Sequence, residues 1–324
     1  MTKAMVVHKT GGPEVLSWEE VKLPDPGPEE ARIIHKAIGL NYIDVYFRTG
    51  LYPFPALPGI PGMEGSGVVE AVGKEVSNVK PGDRVAYAAA PPGSYTESRN
   101  IKADKLVILP EEFSFEIGAA MMLQGMTVEY LVRRTYPVQA GQTVLVHAAA
   151  GGVGLMLCQW LNSIGAIVIG TVGSDEKAQL ALENGCQHPI NYQSEDWVGR
   201  VQEITKGSGV PVVYDSVAKD TFSGSLECLK IRGLMVNYGQ ASGPYNDFDI
   251  GMLAPKSLFL TRPGLFQYIS NREELEESSS ALFDVVSSGS LKIQINQKYN
   301  LSEAARAHVD LESRKTTGST ILLT

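Results

Sequence analysis

Cysteine is scarce in this 324-residue chain, which has only Cys158, Cys186 and Cys228. They are scattered and odd in number, so the sequence predicts no disulfide framework and favours a reducing compartment, the cytoplasm. Positive charge is also in the minority, with 28 Lys and Arg against 36 Asp and Glu. Because phosphate backbones attract basic surfaces, this balance argues against nucleic acid as the main partner.

Long hydrophobic runs are absent as well. The most apolar stretch, 144–161, is interrupted by His147, Gln159 and three glycines. A buried strand, turn and helix explains it better than a membrane span. The first twelve residues lack the apolar core of a signal peptide, so we expect neither a signal peptide nor a membrane anchor.

The length exceeds what one hydrophobic core usually supports, so two domains are expected. The first part is rich in Pro and Gly, and its turns separate four short predicted strands: Ala4–Val7, Ala31–Ile38, Gly67–Val72 and Asp83–Ala86. These short strands between turns predict a β-rich, barrel-like domain.

From about residue 115 the pattern changes to alternating helices and strands. Helices are predicted over Phe115–Arg134, Val153–Ile164 and Glu176–Asn184, and strands over Thr143–Ala148, Ile167–Val172, Val212–Ser216 and Leu234–Tyr238. Such alternation is typical of βαβ units and a parallel sheet. From about residue 264 the tail returns to helices and short strands, ending in Ser319–Leu323.

A glycine-rich turn follows the first of these strands and opens the next helix. Its candidate cofactor contacts are Ala150, Gly151, Gly152, Val153 and Gly154. Gly151 lets a backbone approach a pyrophosphate, Gly154 permits close helix–sheet contact, and the helix N-terminus attracts the phosphates. Ala149 departs from the usual first glycine, and a tight turn without a ligand is the alternative.

The next strand end indicates which dinucleotide is bound. An NAD site usually has a carboxylate there, on the ribose 2′-hydroxyl, whereas this strand ends in Gly173 and Ser174. Lys177 can supply positive charge and Tyr192 a hydroxyl, so the pattern predicts NADPH. Asp175 and Glu176 are contrary evidence, read here as first-turn helix residues with side chains in solvent.

An ordered set of motifs carries a resemblance to a known family. The chain resembles the zeta-crystallin-like quinone oxidoreductases, a zinc-free branch of the medium-chain dehydrogenase/reductase superfamily, essentially from end to end. The motifs are Gly11–Leu16, Asn41–Asp44, Arg48–Pro53, Gly62–Gly67, Gly82–Val85, Gln124–Thr127, Ala148–Gly154 and Val213–Val217.

The resemblance implies a GroES-like catalytic domain in two segments, 1–122 and 264–324, around a Rossmann NADPH-binding domain, 123–263. It also implies an active site in the cleft between them. Alcohol dehydrogenases of the superfamily have Cys and His ligands where this chain has Asn41 and Met63. Asn and Met are poor zinc ligands, so no metal is expected. Glu64 is read as a structural hydrogen-bond acceptor.

The resemblance further implies the site residues. Asn41, Tyr46 and Tyr52 would orient the substrate or donate hydrogen bonds to it, with no obligatory acid assigned, and Asn41 and Tyr46 would also lie at the nicotinamide. The other implied cofactor contacts are Thr127, Tyr130, Ser216, Val217, Asn237, Tyr238, Gly239, Leu265, Phe266 and Thr317. His147 is interpreted as a core or cofactor-shell residue.

The implied activity is NADPH-dependent reduction of quinones to hydroquinones or semiquinones. A reductase of the C=C bond in enones or enals would have the same scaffold and stays an alternative. A non-catalytic crystallin-like or RNA-binding role is another, and the intact glycine turn argues against it. The resemblance also implies a homodimer in which the last strand of the Rossmann sheet, Ser257–Thr261, pairs with its copy.

Overall fold

The computed structural model describes residues 1–324. Its strands are β1 (Thr2–Val7), β2 (Leu16–Val21), β3 (Glu30–Leu40), β4 (Glu64–Val72), β5 (Arg84–Ala88), β6 (Ser98–Lys102), β7 (Val107–Ile108), β8 (Thr143–Val146), β9 (Ile167–Val172), β10 (His188–Asn191), β11 (Val210–Asp215), β12 (Leu229–Asn237), β13 (Phe259–Thr261), β14 (Ile295–Asn300) and β15 (Ser319–Leu323). Its helices are α1 (Tyr42–Thr49), α2 (Phe115–Tyr130), α3 (Gly152–Ile164), α4 (Asp175–Glu183), α5 (Trp197–Ile204), α6 (Phe222–Cys228), α7 (Leu265–Tyr268), α8 (Arg272–Ser287) and α9 (Ala304–Glu312).

The chain divides into two compact units. The first, called the β-rich unit, comprises Met1–Met126, Ile269–Ser280 and Ile293–Thr324. The second, called the parallel-sheet unit, comprises Thr127–Tyr268 and Ala281–Lys292. No helix is both long and apolar enough to cross a lipid bilayer.

The β-rich unit is built on a seven-stranded sheet. Its strand order is β14-β15-β3-β4-β5-β7, with β6 also paired to β3. All neighbours are antiparallel except β14 and β15. Apolar side chains such as Ile33, Val69 and Val85 are fully or almost fully buried in one core cluster, and Met5, Ile38 and Leu322 in another. The β-rich, GroES-like domain predicted for the first part is confirmed.

The parallel-sheet unit has six strands in the order β10-β9-β8-β11-β12-β13, and every pair is parallel. Counted along the unit this is 3-2-1-4-5-6, the order of a Rossmann sheet, and it reverses between β8 and β11. All six residues of β11 are buried, as expected for a central strand covered on both faces. The Rossmann prediction is therefore confirmed, and ligands of such sheets bind where the strand order reverses.

Several strand boundaries differ from the sequence predictions; β12, for example, begins at Leu229 rather than Leu234. Two of the differences have a cause in the local structure. β8 ends at Val146, two residues early, because the chain turns at Ala148, whose φ of 53° is left-handed. β13 begins at Phe259 rather than Ser257. The reason is that the amide of Leu258 donates to the carbonyl of Leu253 at 2.9 Å and its side chain is buried, which leaves it no role in strand pairing.

Candidate active site

The glycine turn connects β8 to α3. No side chain caps the N-terminus of α3, so its first amides and the positive end of the helix dipole face the turn. A Cβ on Gly151 would have one neighbour within 4 Å, the carbonyl oxygen of Ala148 at 3.3 Å. The surface beside Gly151 is thus open to a phosphate. A Cβ on Gly154 would instead overlap that same carbonyl oxygen, which shows how tightly α3 packs on the turn.

The predicted 2′-phosphate residues lie together at the ends of β9 and β10. A Cβ on Gly173 would lie 2.6 Å from the hydroxyl oxygen of Tyr192, so Tyr192 covers that glycine. Ser174 is the N-cap of α4 and accepts the backbone N–H of Lys177 at 3.3 Å. Asp175 and Glu176 are exposed, as the sequence interpretation had them. Asp175 also accepts a hydrogen bond from Asn191 at 2.7 Å.

The loops after β11 and β12 touch each other. The amides of Tyr238 and Gly239 donate to the carbonyl of Asp215 at 2.8 and 3.3 Å. A Cβ on Gly239 would lie 2.6 Å from the carbonyl oxygen of Ser216, so only glycine allows this approach. The structure therefore brings Ser216 and Val217 together with the segment 237–239, as expected for strand ends at one edge of a sheet.

Tyr130 lies at the C-terminus of α2, where a π-helical turn, Leu131–Thr135, continues the helix. Its ring stacks on Tyr268 with 4.3 Å between centroids. Burial raises its pKa far above the usual range, with the nearby hydroxyls of Tyr238 and Tyr268 adding to the effect. Arg134 donates to the carbonyl of Tyr268 at 2.9 Å and so holds the end of α7.

Several of the predicted cofactor contacts lie in or near this packing. Tyr130 and Tyr238 interact electrostatically. Leu265 and Phe266 lie on the short helix α7, whose last residue, Tyr268, contacts Tyr130 and Arg134. Thr127 is buried on α2, one turn before Tyr130. Sequence reasoning missed Tyr268 because no motif marked it.

In the β-rich unit, Asn41 is the centre of a buried hydrogen-bond network. Its Nδ2 donates to Glu64 Oε2 at 2.7 Å, and its Oδ1 accepts from Gln124 Nε2 at 3.0 Å. Gln124 Oε1 in turn accepts from the hydroxyl of Ser319 at 2.9 Å, and Glu64 Oε1 accepts the amide of Leu123 at 2.8 Å. The orientation of the Asn41 amide is thereby set from both sides. Sequence reasoning missed Gln124 and Ser319, although Gln124 opens one of the quoted motifs.

Aromatic side chains pack together along α1, the helix that Asn41 caps, and along the loop after it. The ring of Tyr46 lies 5.2 Å from that of Tyr52 in an edge contact, and Phe47 lies 5.9 Å from Tyr52. The amide of Tyr52 donates to the carbonyl of Tyr46 at 3.0 Å. The structure thus brings Tyr46 and Tyr52 together. The hydroxyl of Thr317, a predicted cofactor contact, accepts a hydrogen bond from the Asn296 amide at 3.0 Å.

Two buried carboxyl groups flank Asn41. Asp44 Oδ2 accepts the backbone N–H of Asn41 at 2.9 Å and the hydroxyl of Tyr95 at 3.1 Å, while its Oδ1 has no partner. Burial raises the pKa of Asp44 to about 7, against the lowering effect of these hydrogen bonds. Burial likewise raises the pKa of Glu64 to about 8, and the hydrogen bond from Asn41 opposes the shift.

The raised pKa of Asp44 makes stability depend on pH. A carboxyl whose pKa is higher in the folded state binds its proton more tightly there, so stability falls as pH rises from the unfolded value of 3.8 to about 7. We therefore expect the free energy of unfolding to fall from pH 4 to pH 7 by about 1–3 kcal/mol more in the wild type than in Asp44→Asn. Urea unfolding at both pH values measures this difference.

The matched control is Asp25→Asn, since the side chain of Asp25 is fully exposed. It should leave the pH dependence unchanged. If Asp44→Asn and the wild type lose stability in parallel across this range, Asp44 does not titrate differently in the folded state.

Two family models match the chain, and together they define its class. The alcohol dehydrogenase GroES-like domain matches residues 27–136, and the zinc-binding dehydrogenase model matches residues 152–283. This combination is that of the medium-chain dehydrogenase/reductase superfamily, a class of oxidoreductase enzymes.

Individual relatives narrow the class. The chain is 50% identical over 324 residues to a quinone oxidoreductase of Pseudomonas aeruginosa, covering 100% of both chains. It is 44% identical to a 2-haloacrylate reductase of a Burkholderia species, covering 100% of this chain and 99% of the relative. The crystal structure of Escherichia coli quinone oxidoreductase complexed with NADPH superposes with a TM-score of 0.98 at 50% identity, covering 99% and 100% of the two chains. The chain therefore belongs to the quinone oxidoreductase family, and the resemblance seen in the sequence is confirmed.

The zinc in the description of the matched family does not fit the residues present. The family resemblance puts Asn41 and Met63 at the two positions where alcohol dehydrogenases carry zinc ligands. The amide of Asn41 is engaged by Glu64 and Gln124, and Met63 is a buried core residue. No group of three or more His, Cys, Asp or Glu side chains is arranged to hold a metal ion.

Proposed function

We propose that this enzyme uses NADPH to reduce quinones to hydroquinones or semiquinones, without zinc. The observation that carries the proposal is the buried network that orients the Asn41 amide at the start of α1, the helix that also carries Tyr46 of the Tyr46–Tyr52 pair. A quinone suits such a site because its reduction yields a phenolate-type oxygen with a pKa of about 10, which needs little polarisation. Hydrogen-bond donors are then sufficient.

The parallel-sheet unit supplies all of the proposed cofactor residues below except Thr317, which belongs to the β-rich unit. The glycine turn and the N-terminus of α3 bind the pyrophosphate, and Gly173, Ser174, Lys177 and Tyr192 hold the 2′-phosphate end. The loops after β11 and β12, together with Thr127, Tyr130, Leu265, Phe266 and Thr317, hold the remainder of the dinucleotide. Bound NADPH supplies the reducing equivalents. This chain's residues orient the acceptor, and orientation alone can account for much of the rate.

We also propose roles for residues of the β-rich unit. Asn41 Nδ2 carries two hydrogens and gives one to Glu64, so the second is available to an acceptor oxygen. We assign Tyr46 and Tyr52 to orienting a flat substrate. We assign the segments 1–122 and 264–324 to substrate binding, the segment 123–263 to NADPH, and the enzyme to the cytoplasm.

A second candidate is reduction of the C=C bond in enones, enals or haloacrylates, favoured by the 44% identity to the 2-haloacrylate reductase. The deciding experiment follows NADPH consumption with 1,4-benzoquinone, an alkenal and 2-chloroacrylate, before and after exhaustive chelation. We expect turnover of the benzoquinone that chelation does not reduce. Preferential turnover of the alkenal or the haloacrylate would favour the second candidate, and loss of activity on chelation would contradict zinc independence.

We also propose a homodimer formed through β13. This strand lies at the edge of the six-stranded sheet, and Phe259 in it is 61% exposed. An uncovered apolar edge invites pairing, and two copies meeting across a twofold axis would satisfy both sets of backbone groups. Light scattering should give a mass twice that of the monomer for the wild type.

Phe259→Glu places a charge in the proposed interface and is expected to shift the mass towards the monomer. The matched control is Ile108→Glu, because Ile108 is an exposed apolar residue of β7 in the β-rich unit. A Phe259→Glu protein that stays as dimeric as the control would locate the interface elsewhere.

A further inference from the structure

Four buried polar residues form a continuous chain below the carboxyl ends of β8, β9 and β11. Thr171 Oγ1 lies 2.8 Å from His147 Nδ1, and His147 Nε2 lies 2.9 Å from Ser225 Oγ. Ser225 Oγ lies 3.3 Å from Asp215 Oδ2. None of the four is more than 3% exposed. This hydrogen-bonded chain of side chains therefore crosses the point where the strand order of the sheet reverses.

The direction of every hydrogen bond in this chain can be assigned from its Asp215 end. Asp215 Oδ1 accepts the amides of Val217 and Ala218 at 2.7 and 3.0 Å, and Oδ2 accepts the hydroxyls of Thr221 and Ser225. Because the Ser225 hydroxyl has a single proton and gives it to Asp215, its oxygen must accept a hydrogen from His147.

The tautomer of His147 follows. Burial lowers the pKa of His147, although the charge of Asp215 opposes the shift, so the imidazole is neutral with one N–H. That hydrogen is on Nε2 and points to Ser225. Nδ1 is then an acceptor for the hydroxyl of Thr171.

Two residues in left-handed backbone conformations adjoin this hydrogen-bonded chain. Ala148, next to His147, has φ 53°, and Ala218, bonded to Asp215, has φ 70°. A left-handed conformation is unfavourable for a residue with a side chain, so neighbouring contacts must hold both. Ala148 opens the glycine turn, and Ala218 closes the loop containing Ser216 and Val217. The chain thus connects two loops of the cofactor site.

We propose that His147, Ser225 and Asp215 are positioning residues that hold the glycine turn and the 216–218 loop in register for NADPH. The inference rests on the proposed cofactor role of these two loops. Strain stored in such loops is sustained only where the surroundings determine them fully. Removing one hydrogen bond from this chain of four side chains should therefore loosen the cofactor site while the fold persists.

A first test is the nitrogen NMR spectrum of the histidines in the intact protein. His147 should show a protonated Nε2 and a bare Nδ1. His35 is the internal control with the opposite tautomer, since its Nδ1 lies 2.7 Å from the carbonyl oxygen of Thr96, which can only accept. Burial lowers the pKa of His35 to about 3, so it too is neutral. A proton on Nδ1 of His147 would overturn the assignment.

A second test compares NADPH binding in a matched pair of variants. Thr171→Val keeps the shape but removes the hydroxyl, whereas Thr171→Ser keeps the hydroxyl. Since one buried hydrogen bond is lost, the Kd for NADPH should rise about two- to tenfold in Thr171→Val and in Ser225→Ala, and stay near the wild-type value in Thr171→Ser. The value of kcat at saturating NADPH should be unchanged, because the interaction acts on binding.

Failure of this inference can be distinguished from failure of the proposed function. If Thr171→Val and Ser225→Ala lose thermal stability but bind NADPH as tightly as the wild type, the chain is only structural and the inference fails. If the wild type itself does not bind NADPH, the proposed function fails, and the His147 tautomer still reports on the chain.

Discussion

Replacing Gly154 by alanine is expected to weaken NADPH binding and to destabilise the parallel-sheet unit together. The added Cβ would overlap the carbonyl oxygen of Ala148 and lie 2.9 Å from the Cα of Ala149. Both neighbours are backbone atoms, so no side-chain rotation relieves the clash. Overpacking of this kind costs about 1–3 kcal/mol. The melting temperature should fall by several degrees, and the Kd for NADPH should rise by about 5- to 150-fold as the turn is displaced.

Gly151→Ala is the matched control within the same turn. Its Cβ meets only the carbonyl oxygen of Ala148, at 3.3 Å, and its φ of −79° suits any residue. We expect an almost unchanged melting temperature, with NADPH binding still impaired because the methyl group occupies the phosphate face. Calorimetric titration and thermal unfolding of both variants separate the two roles. Tight NADPH binding by a Gly154→Ala protein of normal stability would show that α3 does not pack on the turn as described.

Lys177→Ala is expected to weaken NADPH by about 10- to 150-fold while NADH binding stays almost unchanged. Lys177 lies in the first turn of α4, whose N-cap Ser174 follows Gly173 at the end of β9. A hydrogen bond to a charged group contributes about 1.5–3 kcal/mol, which is the source of that range. NADH lacks the 2′-phosphate, so its binding does not depend on the charge of Lys177. Titration with each cofactor gives the ratio directly.

The control for Lys177→Ala is Lys230→Ala, which removes the same charge from an exposed position near the start of β12. Its NADPH affinity should equal that of the wild type, because a distant exposed charge is screened by salt. Equal binding of NADPH and NADH by the wild type would contradict the assignment of the 2′-phosphate site. So would a Lys177→Ala protein whose affinities for both cofactors fall by the same factor.

Local patterns in the chain were sufficient for the elements that surround the proposed dinucleotide site. The turn 149–154 combines glycines with a preceding strand and a following helix, and the expected positions of β8, β9, α3 and α4 were correct to within about two residues. The ends of strands were less accurate. The left-handed turn at Ala148 and the buried Leu258 shortened β8 and β13, because a backbone turn at a non-glycine residue leaves no mark in the sequence.

The network around Asn41 is a different case. Its members, Asn41, Glu64, Gln124 and Ser319, come from four separate segments. Each is an ordinary polar residue in the sequence, and no spacing relates them. The resemblance to a family selected Asn41, but the partners that orient its amide could be found only in the structure.

The amino-acid sequence by itself determined the two kinds of domain, the glycine turn and the charged and hydroxyl residues at the next strand end, because these depend on contacts between near neighbours. Only the tertiary structure decided how side chains far apart in sequence share their hydrogen bonds. The tautomer of His147 illustrates this. It depends on Ser225, 78 residues further along the sequence, and on Asp215, which accepts the hydroxyl of Ser225 from 10 residues away. Burial supplies the physical reason: out of contact with water, each polar group must find its partner within the fold, and the fold alone determines which one is in reach.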